Sequence, residues 1–221
     1  PQSNGVSFGG QDNRLNNITI DGSSFNNSFG LQPLLGSQTN STPISLDAIE
    51  EIQVNLSPYS VREGGFTGAG VNAVTRSGTN TFHGSAFYNQ RNEGYIGTEA
   101  GKNKVITNAF DVKQFGFRFG GPIIKNKLFF FLNGEAERRN DPGTTFRANN
   151  GSEPSVGNVT RVLASDLNKL TSFLKDSLGY DPGSYQDYSM KTYSNKALAK
   201  IDWNINDRNR FSFRFNYLRS Y

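Results

Sequence analysis

The stretch QFGFRFGGPIIKNKLFFFLNGEAERR (residues 114–139) carries phenylalanine at every second position, breaks at Gly-Gly-Pro, and returns through a second aromatic run that ends in charge. Successive side chains of an extended strand point to opposite faces. Phe115, Phe117 and Phe119 therefore share one face, and Gln114, Gly116 and Arg118 the other. Pro122 has no N–H to donate, so Gly-Gly-Pro at 120–122 is expected to end the ladder in a tight turn. Alternation of this kind fits a sandwich strand with one face in a core, and equally a strand with one face in lipid.

The same period recurs along the chain. TFHGSAFYNQ (81–90) sets Phe82, Gly84, Ala86 and Tyr88 on one face. SNKALAKIDWNI (194–205) sets Ala197, Ala199, Ile201 and Trp203 against Lys196, Lys200 and Asp202. RFSFRFNYLRSY (210–221) sets Phe211, Phe213, Phe215 and Tyr217 against Arg210, Ser212, Arg214 and Asn216. With the two halves of the opening stretch this makes five strands of about ten residues. Their connections alternate between long (91–112, 140–193) and short (around 122–126, 206–209), so all the long loops leave from one rim. Outer-membrane barrels have this asymmetry. A strand of ~10 residues spans ~33 Å, or ~23 Å along the normal at ~45° tilt, against a lipid-facing band ~25 Å tall. Backbone in lipid must be fully paired, so such a sheet has to close, and five strands do not close a barrel.

Composition agrees. Of 221 residues only 34% are hydrophobic, yet 18 are Phe and 9 Tyr, and the mean hydropathy is −0.58. The longest apolar run, 128–132, is far below the ~20 residues of a spanning helix. The absence of cysteine excludes a disulfide framework and thiolate metal sites. The net charge of +4 is the difference of 23 basic and 19 acidic residues scattered along the chain, which excludes a basic nucleic-acid tail. The opening Pro-Gln-Ser-Asn reads as mid-domain sequence, so the chain is expected to be a fragment.

Residues 1–79 have a different character. In NRLNNITIDGSSFNNSFG (13–30) Leu15, Ile18 and Ile20 suggest a short strand ending at the turn signal Asp21-Gly22. A helical turn capped by Ser45 is expected to lead into a strand over 49–56, and a further strand over 71–75. Together these make a small α+β unit. Inside the second long loop Leu163, Leu167, Leu170 and Leu174 recur at helical spacing. The expectation is a helix over about 165–177, capped by Ser165 and stopped by Gly179 and Pro182-Gly183. Such a helix either gates an opening or simply packs its loop.

No catalytic constellation is present. His83, the single histidine, lies inside an expected strand with no nucleophile and carboxylate placed around it, so it reads as a polar strand residue. DWNINDRNRFSF (202–213) starts like a calcium loop, but it has Asp207 where glycine is needed and Phe213 where a bidentate glutamate is needed. GGFTGAG (64–70) has neither the dinucleotide-binding glycine spacing nor the lysine of a phosphate loop. NEGYIGTEAGKNK (92–104) reads as an external loop, solvated or ligand-contacting. No cofactor or metal is expected, and the chain is not expected to be an enzyme.

The segments NRLNNITIDGSSFNNSFG, LDAIEEIQVNLSPYSVREGGFTGAGVNAVTRSGTNTFHGSAFY and GFRFGGPIIKNKLFFFLNGEAERR together resemble TonB-dependent outer-membrane receptors, and within them the Oar-like branch. The resemblance implies a mainly β fold: the C-terminal part of a plug over 1–79, then the first five antiparallel strands of a transmembrane β-barrel over 80–221, incomplete in this chain. A full barrel of about 22 strands with a plugged lumen is the class concerned. It also implies a place in the bacterial outer membrane, energy-coupled uptake of an unidentified ligand through TonB–ExbB–ExbD, and contact with outer-membrane lipid. The TonB-contacting box is not matched here. On this view Phe115, Phe117, Phe119, Phe211, Phe213 and Phe215 face lipid, while His83, Arg118, Arg210 and Arg214 face the lumen. Asp47, Glu50, Glu51 and Arg62 are candidates for plug–barrel ion pairs. The alternative is a soluble or surface-attached β-rich adhesion or carbohydrate-binding module, in which Tyr180, Tyr185, Tyr188 and Tyr193 would serve as a platform and the strand phenylalanines would pack inward.

Overall fold

The computed structural model of the protein describes residues 6–27, 34–39, 41–56, 64, 66–97, 99–101, 103–104 and 109–221. They fall into two compact units, one of residues 1–89, 114–137 and 192–221, the other of residues 90–113 and 138–191.

The first unit begins with a small sheet of β1 (Asn17–Ile20), β2 (Ser23–Ser24), β3 (Ile49–Asn55) and β4 (Gly70–Thr75), ordered β2-β1-β4-β3. Asp21 and Gly22 both take positive φ (45° and 80°), the backbone a two-residue hairpin demands between β1 and β2. β4 pairs in parallel with β1 and antiparallel with β3. Ser45 precedes a single 3-10 turn, Leu46–Ala48, but makes no side-chain cap there, because its hydroxyl is engaged elsewhere.

The large sheet comprises β5 (His83–Asn92), β8 (Asp111–Ile124), β9 (Leu128–Pro142), β12 (Ser189–Asn206) and β13 (Asn209–Ser220). Its order, β13-β12-β9-β8-β5, is that of a meander, and it is open: β13 and β5 are edges. Three strands exceed the expected length, at 14, 15 and 18 residues for β8, β9 and β12. Sequence alternation registers only the apolar band, whereas the backbone ladder continues through polar ends that carry no such pattern. Gly-Gly-Pro does not end its ladder either. β8 runs through Pro122 to Ile124, and the turn lies at 125–127, where Asn126 takes φ 63°. A Cβ on Gly121 would strike the Phe82 ring, one residue before β5 begins at His83. Pro122 thus lies where the neighbouring strand has run out, and its missing N–H is tolerated.

The two faces of the large sheet differ. Ala197, Ala199, Ile201 and Trp203 stand opposite Tyr217, Phe215, Phe213 and Phe211. All four of those aromatics are exposed, as are Phe115, Phe117 and Phe119. The Phe119 ring stacks on Phe82 and tilts against Phe130 at 5.6 Å between centroids. On the other face Phe131 and Leu198 are buried with Ile20, Ile44, Ala48 and Ala73 of the small sheet and its connections.

The second unit contains the β6 (Glu99–Ala100) and β7 (Asn103–Lys104) hairpin, the parallel pair β10 (Arg147–Asn149) and β11 (Val159–Leu163), and helix α1 (Ala164–Leu178). The N-cap of α1 is Leu163, so Ser165 sits inside the first turn and caps nothing. Gly179 ends the helix in the left-handed conformation, φ 62°, as a helix C-terminus favours. No residue of α1 is buried.

Candidate functional site

The polar face of the large sheet meets the small sheet through three charged clusters in the first unit. In the first, Lys196 of β12 and Glu135 of β9 pair at 2.7 Å with side chains only 4% and 2% exposed. Thr42 Oγ1 accepts from Lys196 Nζ at 3.0 Å, and Ser45 donates to Glu135 Oε2 at 2.5 Å. This is where the Ser45 hydroxyl goes in place of capping a helix. A buried ion pair is tolerated only when its remaining lone pairs and protons are satisfied, and these two hydroxyls help do that.

The second cluster centres on Asp21. Its Oδ1 accepts from Thr75 N at 2.8 Å and its Oδ2 from Thr75 Oγ1 at 2.6 Å. Arg214 Nη1 of β13 reaches the same Oδ2 at 2.8 Å and also donates to Ile20 O at 2.6 Å. Lys200 Nζ of β12 stands 4.0 Å from Oδ2 and donates to Thr75 O and Oγ1 at 3.3 and 3.2 Å. Burial alone would raise the Asp21 carboxyl. The Thr75 hydrogen bonds, with Lys200 and Arg214, outweigh it and hold the carboxyl below its usual value.

In the third cluster Arg118 Nε of β8 donates to Ser85 Oγ of β5 at 2.9 Å and lies 3.4 Å from Asp47 Oδ1, while Ser85 donates to Asp47 Oδ2 at 3.1 Å. Beside it is a cavity of about 420 Å³ lined by Glu50, Arg76, His83, Arg118 and Phe131 among others. The His83 ring bonds Thr81 Oγ1 at 2.6 Å. Among the described residues no group of three His, Cys, Asp or Glu could hold a metal ion.

Asp47 and Arg118 thus meet each other, Arg214 meets Asp21, and Glu50 and His83 line one cavity. Glu51 lies exposed against Gln53. Arg210, opposite Asn204, is exposed. Arg62 lies outside the described residues. Phe115, Phe117, Phe119, Phe211, Phe213 and Phe215 are on the opposite, exposed face. Lys196, Lys200, Glu135, Asp21 and Thr75, which hold the closest contacts, were not candidates. Their only sequence signal is that both lysines occupy the polar face of an alternating strand.

Residues 74–171 match the family described as outer membrane beta barrel domain. The chain is 31% identical over 227 residues to the TonB-dependent transporter Oar of Myxococcus xanthus, which covers 96% of this chain and 19% of Oar. Among solved structures, the siderophore receptor PirA of Acinetobacter baumannii matches with a TM-score of 0.52 at 19% identity, over 94% of this chain and 24% of that one. At that identity the likeness is one of fold. The chain spans about a fifth of the curated relative's length.

Proposed function

We propose that residues 1–79 are the C-terminal part of a plug and 80–221 the first five strands of its barrel wall, because the chain is a homologue of the TonB-dependent transporter Oar and belongs in the outer membrane. The parent function is energy-coupled uptake of a ligand through that plugged barrel, driven by a TonB–ExbB–ExbD system. The loops around 91–112 and 140–193 face the exterior. No catalysis is involved: the relative is a transporter, and the polar clusters are structural ion pairs.

One observation carries this reading. A single sheet exposes aromatics on one face, and on the other buries a Lys–Glu pair against a small sheet. A sandwich module would bury the aromatic face instead. Phe115, Phe117, Phe119, Phe211, Phe213 and Phe215 then contact lipid. His83, Arg118, Arg210 and Arg214 face the lumen, and Asp47 with Glu50 supplies plug-side charge to the interface.

Trp203, the one tryptophan of the chain, lies on the aromatic face and is 46% exposed, so it serves as an intrinsic reporter. In vesicles of bromine-labelled phosphatidylcholine its fluorescence is expected to be strongly quenched. Unquenched emission from folded, β-rich protein would instead support the adhesion or carbohydrate-binding module.

A further inference from the structure

Lys196 and Lys200 lie four residues apart on the plug-facing side of β12, but their charges are balanced differently. Lys196 is neutralised within the wall by Glu135, and the small sheet's connections lend it only hydroxyls. Lys200 and Arg214, opposite one another on β12 and β13, share the single carboxylate of Asp21 of the small sheet. If that sheet moves, Asp21 leaves together with Thr75, which satisfies it through two hydrogen bonds. Two wall cations then lose their carboxylate.

One wall carboxylate is positioned to replace it. Asp202 follows Lys200 by two residues on the same face of β12 and stands opposite Ser212, whose hydroxyl donates to Oδ1 at 2.7 Å. Arg214 is its diagonal neighbour across the ladder, a spacing of about 7–8 Å that long side chains bridge. Asp202 Oδ2 is buried and has no hydrogen-bond partner among the described residues. A buried carboxylate oxygen left unbonded is costly in the docked state alone. It becomes intelligible if a second arrangement uses it.

We infer that Asp202 is the alternate carboxylate of a two-position charge switch: Lys200 and Arg214 bind Asp21 when the small sheet is docked and turn to Asp202 Oδ2 when it withdraws. This rests on the plug-and-wall reading above. With Asp202 the undocked wall retains one uncompensated positive charge at this point, and without it two. Together with the self-contained Lys196–Glu135 pair, the switch lets the small sheet leave the β12 surface with one uncompensated positive charge in place of two.

The test uses the full-length protein in phosphatidylcholine vesicles, with a nitroxide on a single cysteine placed at the exposed Ser23 of the β1–β2 hairpin in a background otherwise free of cysteine. Release of the hairpin is followed by spin-label mobility during urea titration, and heat-dependent gel migration reports whether the wall stays intact. Asp21→Asn is expected to lower the urea midpoint of release. Asp202→Asn is expected to raise it, cutting the released fraction at the wild-type midpoint by roughly tenfold, since a stranded, partly buried cation opposes undocking. Ser212→Ala frees the Asp202 carboxylate and is expected to lower the midpoint. A merely structural Asp202–Ser212 bond would move both of those variants the same way. The switch is overturned if Asp21→Asn weakens docking while Asp202→Asn leaves the midpoint unchanged or lowers it. No effect of Asp21→Asn would instead overturn the docked-plug reading itself.

Discussion

At the scale of single residues, the Lys196–Glu135 pair decides how firmly β9 and β12 hold together on the buried face of the large sheet. Both side chains are almost fully buried, so deleting either partner strands the other. Lys196→Met is expected to cost about 3–5 kcal/mol, whereas Lys196→Met with Glu135→Leu recovers most of that loss. Equilibrium unfolding in detergent micelles reads both. Asp21 behaves differently because it titrates. Its carboxyl is held below the usual carboxylate value, so as pH falls the released state binds the proton first. Docking strength is therefore fully present above about pH 5 and lost as pH falls through the depressed value. The urea midpoint of hairpin release should be level from neutral pH to about 5 and drop below 4. Asp21→Asn should abolish that drop, and a drop that persists in the variant would assign the titration to another group.

At the scale of elements, the large sheet is fitted by glycines under aromatic rings. A Cβ on Gly134 of β9 would lie 2.7 Å from the Phe117 ring, and one on Gly116 of β8 would lie 2.7 Å from the Phe87 ring and 2.8 Å from the Gly134 carbonyl. Phe117 can rotate away, but a backbone carbonyl held in a ladder cannot. Gly116→Ala is thus expected to destabilise the sheet by about 1–3 kcal/mol and Gly134→Ala by less, measured as loss of β-structure against denaturant. Equal losses at both sites would show that ring displacement, not the carbonyl, sets the cost. These glycines also mark a limit of sequence reading. In FGFRF the alternation assigns Gly116 to the polar side, but only the partner strand reveals that Phe87 occupies the space left by its missing side chain.

At the scale of the whole molecule, what was legible follows from what is local. Period-2 alternation and short turns are written within a dozen residues, so the strand faces, the Asp21-Gly22 hairpin and the β12–β13 pairing could be read directly. Partnerships across the chain could not. Lys196 meets Glu135 across 61 positions, most of them the long loop, and nothing in either segment names the other. Pro122 misled because its penalty depends on whether a neighbouring strand is still present at that height, and Ser45 because a hydroxyl before a helical turn is equally free to bond a distant carboxylate. The alternation does carry one consequence for the entire sheet. Phe213, 53% exposed, is centred in β13 and faces Ile201 on the aromatic side, while Arg214, the next residue, bonds Asp21 on the other. One position therefore separates an arginine that the fold requires from one it should reject. Phe213→Arg would place a guanidinium in the hydrocarbon band at a cost of about 2–4 kcal/mol, whereas Phe213→Leu keeps the face apolar and should cost far less. Folding yield into vesicles, scored by heat-dependent gel migration, is expected to fall for the arginine variant and hold for the leucine variant. The penalty should shrink in bilayers thin enough to let the side chain reach the interface. If the arginine variant folds as well as the leucine variant in thick and thin bilayers alike, position 213 does not face lipid, and the assignment of every other residue on that face fails with it.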